Sequence, residues 1–279
     1  MGLIPFICPR VVVLGAALAT ATVALPEEAS APIPGTTAAR IVERLLQRAD
    51  ANADRTGDPC LECRRLTVVE ELDSRGGIRS RKTKEHTVVQ CGSEQRVTLV
   101  RLNGEVPPEP ARREETRREA GHRETFSPRR ERPPKMLQSL GRDLLEQFNY
   151  RLAGTEERDG RVAHLLMFEP AGTRSDGKIG DRILRRLRGR LWVDAVEFEP
   201  LRIEASLDQP VSVAGFLAVL DDFQIVVDRR RLESGDWVDE RVEARVGGRK
   251  VLQRFRGRME VRQEDFAVTA GASAAPGAP

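Results

Sequence analysis

The sequence predicts a mainly β (α+β) chain, an incompletely closed antiparallel half-barrel of about 9–10 strands with two or three helices. Three observations carry this. Alternating apolar and polar residues recur along the chain between Gly-, Asn- and Asp-rich turns. Residues 189–207 read as two such strands around a short acidic turn, with Leu191 and Val193 on one face and Leu201, Ile203, Ala205 and Leu207 on one face of the second. Amphipathic helical spacing is confined to short stretches.

The elements follow in order. Arg10, the apolar run Val11–Leu25 and the small residues within and after it read as a cleaved export signal, residues 1–25. The run is shorter than the roughly 20 residues a spanning helix needs. Residues 26–36 form a Pro/Ala linker. A helix starts at Thr36 or Thr37, with Ala38, Ile41, Leu45, Leu46 and Ala49 as its stripe, and ends between Asn52 and Gly57. Strands are expected at 64–73 (Leu66, Val68 and Leu72 inward), 78–90 and 96–102, with turns at 74–77 and Asn103-Gly104.

Residues 105–135 hold seven Glu and nine Arg or Lys, and read as a charged, mobile insertion. A helix is expected over Met136–Phe148, then strands at 149–156 and 162–168. The second of these is apolar on both faces, so both need cover, which the helices would supply. Ile179–Leu187 reads as a short basic helix, and Pro210–Leu220 as an apolar connector. Later strands fall at 222–231, 237–246 and 250–263, with turns at 234–236 and Gly247-Gly248. In the last, Val251, Phe255, Met259 and Val261 would face inward; residues 267–279 read as a disordered tail.

Charge and motif content narrow the function classes. The net charge of +3 argues against a nucleic-acid partner. Gly172–Lys178 imitates a phosphate-binding loop, but Ile179 stands where the magnesium-binding Ser or Thr belongs. No nucleophile elbow or zinc-protease motif occurs, so no enzyme activity, catalytic residue, cofactor or metal is expected. Cys60, Cys63 and Cys91 remain after the signal. In an oxidising compartment they favour a disulfide joining Cys91 with Cys63 or Cys60. Centring the hairpin turn on Gly76-Gly77 places Cys63 opposite Gln90 and Cys60 opposite Ser93. Arg182, Arg185, Arg186, Arg188 and Arg190 cluster into a candidate contact surface for lipid phosphates or an acidic partner.

Trp192-Val193-Asp194 followed by Leu201-Arg202-Ile203-Glu204 resembles the central hairpin of the LolA/LolB-type lipoprotein-carrier superfamily. Asn103-Gly104 before the charged insertion, Asp236-Trp237-Val238, and Glu264-Asp265-Phe266 add to the resemblance, which covers most of 37–267. It is strongest toward uncharacterised exported bacterial members. It implies a half-barrel over 37–266 whose helices sit against the concave side and close a hydrophobic cavity. Leu191, Val193, Ile203, Leu207, Phe255 and Met259 would line that cavity. The implied protein is a monomeric periplasmic carrier of lipid or lipoprotein acyl chains. The rival expectation is a periplasmic sensor module that contacts an inner- or outer-membrane protein.

Overall fold

The computed structural model describes residues 37–53, 60–91, 94–110, 112–114, 142–172, 179–212, 218–251 and 253–269. The export signal, the linker, most of the charged insertion and Met136–Gly141 lie outside these residues.

Helix α1 runs over Ala38–Ala53. The Thr37 hydroxyl accepts the Arg40 amide at 3.3 Å, capping its first turn. Ile41 and Leu45, one turn apart, are buried. Helices α2 (Arg142–Leu145) and α3 (Ile179–Leu184) are short.

Eleven strands form one antiparallel sheet: β1 Cys60–Leu72, β2 Ile78–Cys91, β3 Glu94–Leu102, β4 Phe148–Arg158, β5 Arg161–Pro170, β6 Leu187–Asp194, β7 Pro200–Leu207, β8 Val211–Ser212, β9 Ala218–Arg231, β10 Trp237–Lys250 and β11 Gln253–Thr269. Their order is β3-β2-β1-β11-β10-β9-β7-β6-β5-β4, with β8 pairing β9 off the path. The edge strands β3 and β4 do not pair, so the half-barrel stays open. Most joins are local hairpins, but β1–β11 and β7–β9 are not.

One row of cross-strand neighbours organises the concave face. Leu152, Leu166, Leu191 and Ile203 stand side by side, and the row continues through Val227, Val242 and Val261. It covers seven strands without a polar residue, and α1 packs on it through Ile41 and Leu45. Leu145 of α2 joins the same cluster. This is where the apolar faces of helix and sheet leave water together.

Several expectations are corrected. Strand β1 begins four residues early, and its Leu66 and Val68 lie on the convex side, because the concave alternation runs through Thr67 and Val69. With Val68 and Val69 both apolar, the alternation there was ambiguous. Phe148 belongs to β4 and not to the preceding helix. The connector 210–220 contributes β8 and the start of β9. Gly247-Gly248 is not a turn but a bulge inside β10, where a Cβ on Gly248 would meet the Phe255 ring at 2.8 Å. The turn is at Val251, which is exposed and not inward. Strand β11 continues to Thr269, so the tail starts later than 267.

The second face of β5 also has an unexpected cover. Its Leu166 lies under α1, but Ala163 and Leu165 pack against Trp192 and Leu201 on the convex side. Trp192 is 1% exposed. Arg158 and Arg190 stack over its ring at 4.7 and 5.1 Å. Its indole N–H donates to Glu156 at 2.5 Å. A layer of charged side chains, not a helix, shields that face.

Cys60 and Cys91 are joined by a disulfide between β1 and β2. The register sets Cys63 opposite Val88, two residues from the sequence expectation. The cause is Asp73, whose carboxylate accepts the Arg75 and Gly77 amides at 2.8 Å and moves the turn toward the N-terminus. Cys63 is a buried free thiol packed with Val88, Val97 and Phe266.

Gly189 offers a direct check of this packing. A Cβ there would lie 1.9 Å from the Glu204 carbonyl and 2.7 Å from the Phe168 ring. Gly189→Ala is therefore expected to cost about 1–3 kcal/mol through forced overpacking. Urea unfolding measures it, and an unchanged midpoint would contradict the described β5–β6–β7 packing.

Candidate functional site

The most built polar cluster sits where the β6–β7 turn meets α1. Asp194 ends β6, and its Oδ1 accepts the amides of Val196 and Glu197 at 2.9 and 2.7 Å. Arg161 donates to its other oxygen at 2.6 Å. The Trp-Val-Asp stretch thus has a local purpose: the aspartate shapes the turn that follows. Burial alone would raise the Asp194 pKa, but the Arg161 hydrogen bond and the two amides hold it below the ordinary value.

That turn places Glu199, which is buried, under the last turns of α1. Arg48 donates to it at 2.9 Å, Asn52 at 2.6 Å and Arg229 at 3.1 Å. Arg229, on β9, also donates to Asp239 on β10 at 2.9 Å. Burial pushes the Asp239 carboxyl above its ordinary value, against the pull of Arg229. Arg44 stacks over Phe198 at 5.3 Å in the same turn. The cluster clasps one end of α1 to the sheet.

Sequence reasoning did not find this clasp. A signal was present: Arg229 continues the inward alternation Ile225-Val227, where an apolar residue belongs. A charge at an inward position requires a partner.

The six proposed cavity residues fall into three groups. Leu191, Val193 and Ile203 are buried in the cluster under α1. Leu207 is half-buried at the end of β7. Phe255 and Met259 are 41% and 36% exposed on β11. Met259 stands beside Ala244 and Val69, so the concave face stays apolar beyond the helix and is uncovered there. A cleft of about 180 Å³ is lined by Glu62, Cys63, Arg64, Glu85, His86 and others, and one of about 20 Å³ lies beside Glu199. Neither includes any of the six.

The basic group also divides. Arg188 is held by Asp208 at 2.8 Å and Glu169 at 3.0 Å, and Arg190 by Glu204 at 2.7 Å. Arg182 is half-buried on α3, while Arg185 and Arg186 are exposed in the turn before β6. His164 is buried, 6.4 Å from the Phe198 ring, and burial lowers its pKa. Among the described residues no group of His, Cys, Asp or Glu is arranged to hold a metal ion. No helix there is long and apolar enough to cross a membrane.

Fold and clasp together define a class: an open antiparallel half-barrel holding a helix against an apolar concave face. Solved structures similar to the chain are proteins of the DUF1329 and LolA groups. A DUF1329 family protein from Desulfovibrio piger matches with TM-score 0.37 and 12% identity, over 85% of this chain and 96% of that one. A putative outer membrane lipoprotein-sorting protein domain from Vibrio parahaemolyticus gives 0.34 and 11%, over 84% and 95%. A LolA superfamily protein from Nitrosomonas europaea gives 0.34 and 13%, over 84% and 94%. No family model and no curated protein matches the sequence.

Two outcomes follow from the buried charges. Arg229→Met is expected to cost about 3–5 kcal/mol at neutral pH, because it leaves Glu199 and Asp239 buried without it. The deficit should shrink as pH falls, since protonation relieves Asp239, whose carboxyl burial raises and Arg229 no longer opposes. Denaturant unfolding at two pH values reads both, and an equal deficit at each would refute the charge assignment. Burial also pushes the Cys63 thiol up to about 11. Its folded pKa exceeds its ordinary 9.0, so the stability from keeping it neutral is full below 9.0 and lost as pH rises toward about 11. Native protein lacking residues 1–25, and so Cys8, should resist a thiol reagent at pH 8 and label one equivalent on unfolding without reductant. Rapid native labelling would contradict the burial.

Proposed function

We propose that the protein is a periplasmic carrier that takes lipid or lipoprotein acyl chains onto its concave face by displacing α1. The observation that carries this is the way α1 is held. Along its length the contacts with the apolar row are non-directional, through Ile41 and Leu45. At one end the hold is polar, through Glu199. An acyl chain can replace the first kind of contact, gaining roughly 0.8 kcal/mol per CH₂ buried. Opening the clasp admits it. The uncovered strip at Met259, Phe255 and Val69 gives the chain a place to begin.

The binding-competent state is then the one with α1 displaced, and the closed population lowers the apparent affinity. Glu199→Gln weakens the charged hydrogen bonds and should tighten binding of a fluorescent palmitate analogue about tenfold, the equivalent of about 1.4 kcal/mol. Titration of both proteins measures this. Native mass spectrometry of protein from a periplasm, followed by organic extraction, identifies the cargo class. A lipid-free mass, with no probe binding by either protein, would sink the carrier reading. Capture of a membrane protein by that lipid-free form would favour the sensor.

A further inference from the structure

Charge is distributed unevenly along the strands. The β1–β2 turn and the β10–β11 turn lie at the same end of the sheet, because Glu71 pairs with Gly257 and Arg249 with Arg254. Residues 245–259 contain six basic and no acidic side chains. Residues 69–84 contain five basic and three acidic ones. The β6–β7 turn at the other end carries Asp194, Glu197 and Glu199. The chain is nearly neutral overall but has a basic pole.

Some of these cations are used internally. Arg81 and Arg258 pair with Glu70, and Arg249 with Asp221. Among the described residues, Arg75, Arg79, Lys82, Lys250, Arg254 and Arg256 have no carboxylate partner. Arg185 and Arg186 stand at the same end, since β6 starts where β7 finishes and β9 begins.

Apolar side chains are exposed among these cations. Ile78 is 51% exposed, Val251 61% and Phe255 41%, with Val69 and Met259 close to that range. Val251 has φ of +56°, which a β-branched residue rarely adopts. The turn thus holds a strained apolar residue out in solvent, where glycine or asparagine would sit more easily. Strand alternation sends Arg254, Arg256 and Arg258 to the convex side and Phe255 and Met259 to the concave side. Lys82, opposite Val69, and Lys250, opposite Gln253, stand on the concave side, so cations flank the apolar tip on both faces of the sheet.

We infer that this pole is a docking surface for an anionic phospholipid bilayer, with the β1–β2 and β10–β11 turns entering the headgroup layer end-on. Lysine and arginine meet the lipid phosphates, while Val251, Ile78 and Phe255 reach the acyl boundary. A flat acidic protein surface would match the cations but leave the tip residues without an apolar partner. The inference does not rest on the carrier reading, since a bilayer can be bound with α1 closed.

The test is co-sedimentation of the full chain with vesicles of phosphatidylcholine, alone or mixed with phosphatidylglycerol. Binding to the mixed vesicles, weak binding to the neutral ones and release by high salt are expected. Arg79→Glu/Arg254→Glu/Arg256→Glu should lower partitioning at least about fifty-fold, given the contribution of each basic residue at an anionic surface. Val251→Asn should lower it about five-fold without lowering the melting temperature, because asparagine accepts the positive φ. Equal binding by the triple variant, or no binding to phosphatidylglycerol at low salt, overturns the proposal. So does retention on immobilised polyglutamate with no vesicle binding, which would assign the surface to an acidic protein.

Discussion

The structure depends on one row of apolar side chains packed across the concave face under α1. Leu152, Leu166, Leu191, Ile203, Val227, Val242 and Val261 stand shoulder to shoulder across seven strands. Because side chains alternate, fixing this row fixes which residues of every strand face out. A slip of one residue in β7, β10 or β11 would turn an isoleucine or valine of the row outward and bring an arginine or glutamate inward, whichever way the strand moved. The registers of β4 through β11 are therefore mutually enforcing.

The outward face solves the complementary problem. Arg190, Arg202, Glu204, Asp228, Arg241 and Glu260 alternate in sign across adjacent strands and pair at 2.5–3.1 Å. Burial opposes ionisation of Glu204, but Arg202 and Arg190 more than offset it and lower its pKa. The stability from that shift is present above the ordinary 4.5 and is lost as pH falls through the depressed folded value. Partly exposed pairs of this kind contribute little each. Their greater effect is to roof Trp192 and exclude alternative registers.

Much of this was legible in the residues. Asn103-Gly104 and Asp159-Gly160 mark turns because their left-handed conformations need such residues. Ile41 and Leu45 declare the buried side of α1, and residues 189–207 declare their hairpin. What stayed hidden depends on contacts distant in sequence. Pairing of β7 with β9 and of β1 with β11 leaves no local mark. Gly247-Gly248 looks like a turn until Phe255 is seen lying against it. The clasp drew on Arg48, Glu199, Arg229 and Asp239, four charges that look like solvated surface one at a time. The basic cluster at 182–190 was visible in composition, but composition could not show that Arg188 and Arg190 are already paired.

The pairing of β1 with β11 has a consequence for biogenesis. Among the described residues, strands β1, β2 and β3 join the rest of the sheet only through β11, which spans Gln253–Thr269. During synthesis, these early strands have no neighbour outside their own group until the chain through β11 has emerged. Completion of the sheet is deferred to that point, with contact order as the timer.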